Sequence, residues 1–271
     1  MSIIFDWHQG TSPLLISIPH DGRRIPPRIA DRMTEDGTAI PDTDWHVRKL
    51  YDFARITGAS ILSAKFSRYV VDLNRPADDT AIYEDQVATG LFPTKTFDGR
   101  EIYRQGETVS ERQRERRLTR YWRPWHAQLA ESLERIREHF GYALLWDAHS
   151  IRSTVPRLFE GELPDLNIGT NDGNSCPAAV EQALASLAGA SSYSLVVNGR
   201  FKGGYTTRHY GKPDEGIFAI QLEIAQRAYM SEETLRYDQR RAARLADTLS
   251  DMLGVYQSSA AQFAAAAGNS K

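Results

Sequence analysis

One stretch constrains this chain more than any other: Gly141-Tyr142-Ala143-Leu144-Leu145-Trp146, followed at once by Asp147-Ala148-His149-Ser150. The apolar run has the length of a buried strand. It reads as ending at Trp146, with the acid, the histidine and the serine in the turn beyond. An unpaired acid or imidazole at the end of a buried strand is costly unless something satisfies it. Three readings of His149 are open: metal ligand, base, or a side chain hydrogen-bonded within its turn.

The pattern recurs along the chain. Pro13 to Ile18 is apolar and runs into Pro19-His20-Asp21-Gly22. Ala59 to Ala64 and Tyr69 to Leu73 are strand-like, the second ending in Asn74-Arg75-Pro76. Tyr193 to Val197 is a further strand, and Ile217 to Leu222 another that ends in Glu223. Helical spacing lies between these runs. Asp42-Thr43-Asp44 reads as a helix N-terminus, where the dipole favours acids, with Val47, Leu50, Tyr51 and Ala54 following and Gly58 closing it. Leu118, Trp122, Trp125, Leu129, Leu133, Ile136 and Phe140 form a longer apolar stripe, which Pro124 should kink or divide. Pro177 to Leu187 is an alanine-rich helix, and Ser231 is placed to cap a last helix with Glu232 and Glu233 in its first turn. Its inner face would be Leu235, Ala242, Leu245, Leu249 and Leu253. Strands separated by helices predict an α/β sandwich with helices on both faces of one sheet. Ala77 to Glu107 reads as a long surface excursion, and Arg152 to Asn174 and the glycine-rich Asn198 to Gly211 as loops. No low-complexity linker divides the 271 residues, so one domain is expected over 1–271, with 257–271 a frayed or disordered tail.

Charge narrows the partners. A net charge of −2 gives the whole molecule no field that would draw nucleic acid or a membrane surface. The basic run Arg112, Arg114, Arg116, Arg117, Arg120 and Arg123 is interleaved with Glu111 and Glu115 and borders the apolar stripe, which reads as a solvated helix face. No apolar run approaches the roughly 18 residues of a membrane span, and no basic segment followed by a long apolar one opens the chain. Cys176 is the single cysteine, which excludes an internal disulfide and suits a reducing compartment. The expected location is cytoplasmic.

Four apolar runs thus end in a reactive group: His20, Asn74-Arg75, Asp147 with His149, and Glu223. Ligands of open α/β sheets collect at the carboxyl ends of strands, so these residues can meet in one pocket. His20 and His149 can each offer an imidazole nitrogen to a metal, with a carboxylate third and water in the open position; the alternative is two turn histidines bonded to backbone. For the third ligand Asp44 and His46 compete, because residues two apart on a helix diverge. Glu223 is a candidate general base or a salt-bridged strand-end acid. Arg75 and Arg208 are candidates for gripping a substrate carboxylate bidentately, with Asn74, Thr206 and Thr207 adding neutral hydrogen bonds, or else surface ion pairs. Gly203, Gly204 and Gly211 would let backbone approach a ligand, yet they form no Walker loop or dinucleotide fingerprint. Ser150 beside His149 is not a triad, and no Gly-x-Ser-x-Gly elbow is present. His126 lies in the apolar stripe and reads as a satisfied core histidine.

Taken in order, Ser17-Ile18-Pro19-His20-Asp21-Gly22, Thr43-Asp44-Trp45, Asp72-Leu73-Asn74-Arg75-Pro76, Asp147-Ala148-His149-Ser150, Gly203-Gly204-Tyr205-Thr206-Thr207-Arg208-His209-Tyr210-Gly211 and Gln221-Leu222-Glu223 resemble the N-formylglutamate amidohydrolases. Tyr121-Trp122-Arg123-Pro124-Trp125-His126 is similar to a helix motif of that family. The resemblance runs from about Pro13 to Leu253. It implies a three-layer α/β/α sandwich with a mixed sheet, similar to the zinc carboxypeptidases. It also implies hydrolysis of N-formyl-L-glutamate to formate and glutamate in histidine breakdown. Carried onto this sequence, His20 and His149 match zinc ligands, with Asp44 taken as the third. Glu223 matches the general base, and Asn74, Arg75 and Arg208 would hold substrate carboxylates. No glutamate stands three residues after His20, a departure from the carboxypeptidase pattern.

Overall fold

A computed structural model of the protein describes residues 4–81 and 89–268. Its centre is a mixed seven-stranded sheet in the order β1-β3-β2-β4-β7-β5-β6. The strands are β1 (Phe5–His8), β2 (Leu14–Ile18), β3 (Ser60–Ala64), β4 (Ala143–Ile151), β5 (Leu166–Gly169), β6 (Leu195–Val197) and β7 (Ile217–Ala225). Strands β3, β2, β4 and β7 run parallel, while β1 and β5 pair antiparallel with β3 and β7. The three central parallel strands therefore deliver their carboxyl ends to the same edge.

β4 does not stop at Trp146. It pairs with β7 through Ile151, so Asp147 and His149 lie within the strand and not in a turn. Its nine residues are all buried, and the polar ones stay in the ladder because buried partners satisfy them. The same holds for β7, which continues past Glu223 to Ala225. In this register His149 stands directly opposite Glu223.

Helices cover both faces. Leu144, Trp146 and Ala148 of β4 and Phe218, Ile220 and Leu222 of β7 belong to one core cluster. That cluster includes residues of the short α3 (Val47–Leu50), α6 (Ala178–Gly189) and the long α8 (Gln239–Gly268). Ala143 and Leu145 of β4 and Ala219 of β7 face the other way, onto Trp125, Leu129 and Leu133 of α5 (Arg123–Phe140). Side chains alternate along a strand, so Asp147, His149, Gln221 and Glu223 fall on the α5 face. The remaining helices are single turns α1 (Pro27–Ala30) and α2 (Glu35–Thr38), with α4 (Glu111–Arg117) and α7 (Tyr205–Tyr210).

Pro124 does divide the stripe helix. A π-helical turn at Leu118–Trp122 joins α4 to α5, with Arg123 N–H reaching back to the Leu118 carbonyl. Proline lacks the N–H that would continue the α ladder and crowds the carbonyl four residues before it, so the turn widens there.

Several expectations from sequence give way. Tyr69 to Leu73 is a buried turn, not a strand, closed by Val70 N–H to Ser67 O at 2.9 Å. Asp44 does not open a helix. Its N–H bonds His20 O at 3.1 Å in a turn ahead of α3, which a left-handed His46 (φ 67°) precedes. Gly58 closes the segment as expected, at φ +82°. In place of a surface excursion, Ala77 to Glu107 buries Leu91 and Phe92 in the core on the α5 side and Phe97, Ile102 and Tyr103 in small satellite cores; residues 82–88 of it lie outside the described residues. The loop readings missed β5, too short to signal itself, and α7. Ser231 does not cap the last helix: it lies in the hairpin of β8 (Met230–Ser231) and β9 (Arg236–Tyr237), and Asp238 caps α8 by accepting from the N–H groups of Arg240 and Arg241, both at 3.0 Å. α8 then runs through the segment expected to fray, burying Tyr256 and Ala260; 269–271 lie outside the described residues. Among the described residues no helix is long and apolar enough to cross a membrane.

Candidate active site

At the carboxyl edge of β2, β4 and β7 the fold gathers His20, Asp44 and His149, all buried, with one possible ligand atom from each within 4.8 Å of the others. Asp44 Oδ2 lies 3.0 Å from His149 Nδ1 and 3.8 Å from His20 Nδ1. The two imidazole rings are 4.8 Å apart. His46 takes no part: its Nε2 bonds the Leu235 carbonyl at 2.9 Å. Of the two competitors for a third ligand, the structure brings Asp44 to the histidines.

Each histidine is oriented from behind by an aspartate. His20 Nε2 donates to Asp72 Oδ1 at 2.7 Å, and His149 Nε2 donates to Asp147 Oδ2 at 3.0 Å. An ionised carboxylate only accepts, so the bond to Asp72 places the His20 hydrogen on Nε2 and leaves its Nδ1 facing the cluster, while His149 meets a carboxylate at each nitrogen, Asp147 at Nε2 and Asp44 at Nδ1, both at 3.0 Å. His20 Nδ1 is buried with no hydrogen-bond partner. A buried orphan nitrogen beside a carboxylate and a second imidazole is what a cation site requires, and the ligand chemistry suits zinc. Charge agrees. Asp44, Asp72 and Asp147 are buried beside the buried guanidinium of Arg68, which pairs with Asp72 at 2.7 Å and lies 3.9 Å from Asp44.

Electrostatics sort the groups. Burial alone would raise the Asp72 carboxyl, but Arg68 and His20 outweigh it and hold it well below the carboxylate range. Burial would likewise raise Asp44, and His149 and His20 bring it down. Burial and Arg68 push the His20 imidazole down, against Asp72. For His149 burial also lowers, yet Asp147 and Asp44 override it and raise the imidazole well above its usual value. Burial pushes Glu223 up to about 8, with His149 opposing.

A cavity at this edge is lined by His20, Asp44, Arg68, Asn74, Arg75, His149, Arg200, Gln221 and Glu223, with Phe97, Leu158 and Phe201 on its apolar side. Arg75 reaches it with its Nε–H on the Thr89 carbonyl at 2.6 Å. The sequence candidates Thr206, Thr207 and Arg208 are not in the lining. Thr206 is fully buried and donates its backbone N–H to Asn74 Oδ1 at 2.7 Å. Arg208 rides on α7, with its Nε–H on the Gly203 carbonyl at 2.8 Å. Within the glycine-rich segment Tyr205–Tyr210 forms α7, while Arg200, Phe201 and Gly204 line the cavity; a Cβ on Gly204 would overlap the Asn74 amide. Asn74 is spent largely inside the framework, its Nδ2 donating to Asp147 Oδ2 at 3.1 Å.

Arg68, Asp72 and Arg200 were not singled out from sequence. Asp72 stands two residues before the noticed Asn74, in the same strand-exit motif; nothing local marks Arg68 or Arg200.

The family model for N-formylglutamate amidohydrolase matches residues 12–230. An N-formylglutamate deformylase of Pseudomonas aeruginosa is 53% identical over 234 residues, covering 86% of this chain and 88% of the relative. One from Pseudomonas putida is 51% identical over 233 residues, covering 86% and 87%. Among solved structures, the N-formylglutamate amidohydrolase from Ralstonia eutropha superposes with a TM-score of 0.78 at 25% identity, covering 94% of this chain and 97% of that one. A gene product of Agrobacterium tumefaciens shares the fold at a TM-score of 0.69 and 18% identity, covering 93% and 95%.

Proposed function

The chain belongs to the N-formylglutamate amidohydrolase family, and we propose from that premise that it hydrolyses N-formyl-L-glutamate to formate and L-glutamate with a divalent metal, zinc, held by His20, Asp44 and His149. The observation that carries the reading is the buried triplet with its backing aspartates, in the lining of a cavity that also holds Glu223. The relatives' names supply the substrate. Glutamate and formate as products are in keeping with a step at the end of histidine breakdown, and the buried thiol of Cys176 suits the cytoplasm. We read the mixed sheet between helical layers as akin to the zinc carboxypeptidases.

Zinc, when bound, would lower the pKa of a water and polarise the formyl carbonyl. Glu223 takes a proton from the attacking water on its carboxylate and returns it to the nitrogen of the departing glutamate. A cation beside it favours its ionised form, counteracting the burial that pushes it up to about 8. Asp72 and Asp147 keep the Nε2 hydrogens of His20 and His149 in place, so that both Nδ1 atoms face inward. Arg75 and Arg200 bring guanidinium groups to the cavity wall, the chemistry that pairs with a dicarboxylic substrate. Phe97, Leu158 and Phe201 exclude water along the other side.

The test is formate release from N-formyl-L-glutamate beside N-acetyl and N-succinyl glutamate, with metal content measured on the same preparation. Turnover confined to the formyl substrate, lost on chelation and regained with zinc, is expected. Glu223→Gln should keep metal and fold while kcat drops by about a hundredfold or more. Preferred turnover of another N-acyl substrate would reassign the enzyme, and metal-independent turnover would remove the zinc.

A further inference from the structure

The segment Asp72-Leu73-Asn74-Arg75 touches both histidines from behind. Asp72 Oδ1 accepts from His20 Nε2 at 2.7 Å and from the Asn74 backbone N–H at 2.9 Å. Asn74 Nδ2 donates to Asp147 Oδ2 at 3.1 Å, the oxygen that also takes the His149 Nε2 hydrogen. The segment has no sheet ladder to hold it, since it is a turn. Asp72 N–H donates to the Leu91 carbonyl at 2.8 Å and Arg75 Nε–H to the Thr89 carbonyl at 2.6 Å, and the helix on the other side takes two of the segment's own carbonyls. Trp122 Nε1–H donates to the Arg75 carbonyl at 2.9 Å, and His126 Nε2 donates to the Leu73 carbonyl at 3.0 Å. These two bonds bracket Asn74.

The helix is built for that grip. Trp122 closes the π-helical turn and His126 follows one α turn later, so i and i+4 present both donors to one side. Their rings lie 3.9 Å apart by centroid. His126 can serve Leu73 only with its hydrogen on Nε2, and Tyr210 O–H, 3.0 Å from Nδ1, satisfies the other nitrogen. Burial pushes His126 down to about 3, so it stays neutral in that tautomer at physiological pH.

We propose that Trp122 and His126 are positioning residues for the active site: they pin the carbonyls of Arg75 and Leu73, and through Asp72 and Asn74 they fix the ring orientations of His20 and His149. The inference rests on the metal reading given above for what those orientations serve. Neither side chain is in the cavity lining, so both act through the segment they hold.

The test compares Trp122→Phe, His126→Leu and His126→Gln with the wild type. Zinc affinity of the metal-free protein is read by competition with a chromogenic chelator, and kcat and KM are read separately. Trp122→Phe and His126→Leu should each weaken zinc binding by about tenfold to a hundredfold. They should lower kcat while leaving KM near the wild-type value. His126→Gln, whose amide can still donate to Leu73, should recover most of what His126→Leu loses. A purely structural role predicts instead that Gln does no better than Leu, and that result overturns the proposal. So does wild-type zinc affinity and kcat in a folded Trp122→Phe, the variant that keeps the proposal testable if His126→Leu fails to fold. A second readout needs no metal: imidazole ¹H–¹⁵N spectra should show sharp Nε2–H signals for His20 and His149 in the wild type and broadened ones in Trp122→Phe. If the wild type binds no zinc, the metal reading fails, and these spectra alone decide the positioning.

Discussion

Gly204 stands where any side chain would strike the Asn74 amide, while its own N–H donates to Gln221 Oε1 at 2.7 Å. Its role is therefore spacing, one step behind the histidines. Gly204→Ala should push Asn74 off Asp147 and cut kcat by about tenfold, a loss of roughly 1.4 kcal/mol in the barrier, with a modest fall in melting temperature. Formate-release kinetics beside a thermal melt check it; unchanged kcat would show that Asn74 moves at no cost. At this scale the sequence was legible in part. His20, His149 and Glu223 announced themselves because a polar residue after an apolar run demands an explanation, and Asp44 as an acid read at a helix N-terminus. Arg68 and Asp72 did not, since their meaning comes from an ion pair with each other and with groups distant in sequence. Arg208 was eligible as a guanidinium that can pair with a carboxylate; in the fold it lies on α7, outside the cavity lining.

At the scale of elements, hydrophobic runs located β2, with its end at Ile18, and also β4 and β7, whose ends they misjudged. The strands β4 and β7 continue beneath their polar residues because pairing across a parallel ladder is indifferent to side-chain polarity once the partners are satisfied. Pro124 was read correctly as a break, whereas the π turn it produces required coordinates. The alanine-rich tail misled in the other direction. A terminal stretch ending in Gly-Asn-Ser-Lys suggested fraying, yet alanine is the strongest helix former and α8 continues to Gly268, with Ala260 buried and Phe263 edge-on to Phe218 at 5.6 Å. Removing residues 257–271 should thus cost about 1–3 kcal/mol from lost apolar burial and the aromatic pair. Urea denaturation measures it, and the shortened enzyme should keep its kcat, because α8 packs on the face opposite the site.

For the whole molecule the buried, neutral His126 sets an acid limit. In the unfolded chain a histidine titrates near 6.5, and in the fold burial pushes this one down to about 3. Between those values the unfolded chain binds the extra proton, so stability is complete above the unfolded value and is lost as pH falls, by about 1.4 kcal/mol per pH unit. From pH 7 to pH 5 the loss assignable to His126 is about 2 kcal/mol. His126→Gln has no proton to gain there and should lose that much less over the same interval. Denaturation at both pH values, on metal-free protein of each kind, makes the comparison; parallel losses would count against a neutral His126.

His149 and Glu223 occupy opposed positions on neighbouring parallel strands. Their separation is thus a property of the backbone, set by the same hydrogen bonds that close the sheet. A slip of one residue between β4 and β7 would send one of them to the far face of the sheet, among the leucines. A mispaired chain would consequently be inert, not promiscuous. Catalytic competence and correct strand pairing are acquired in a single event, and a turnover assay on refolding protein reads the order of its central strands.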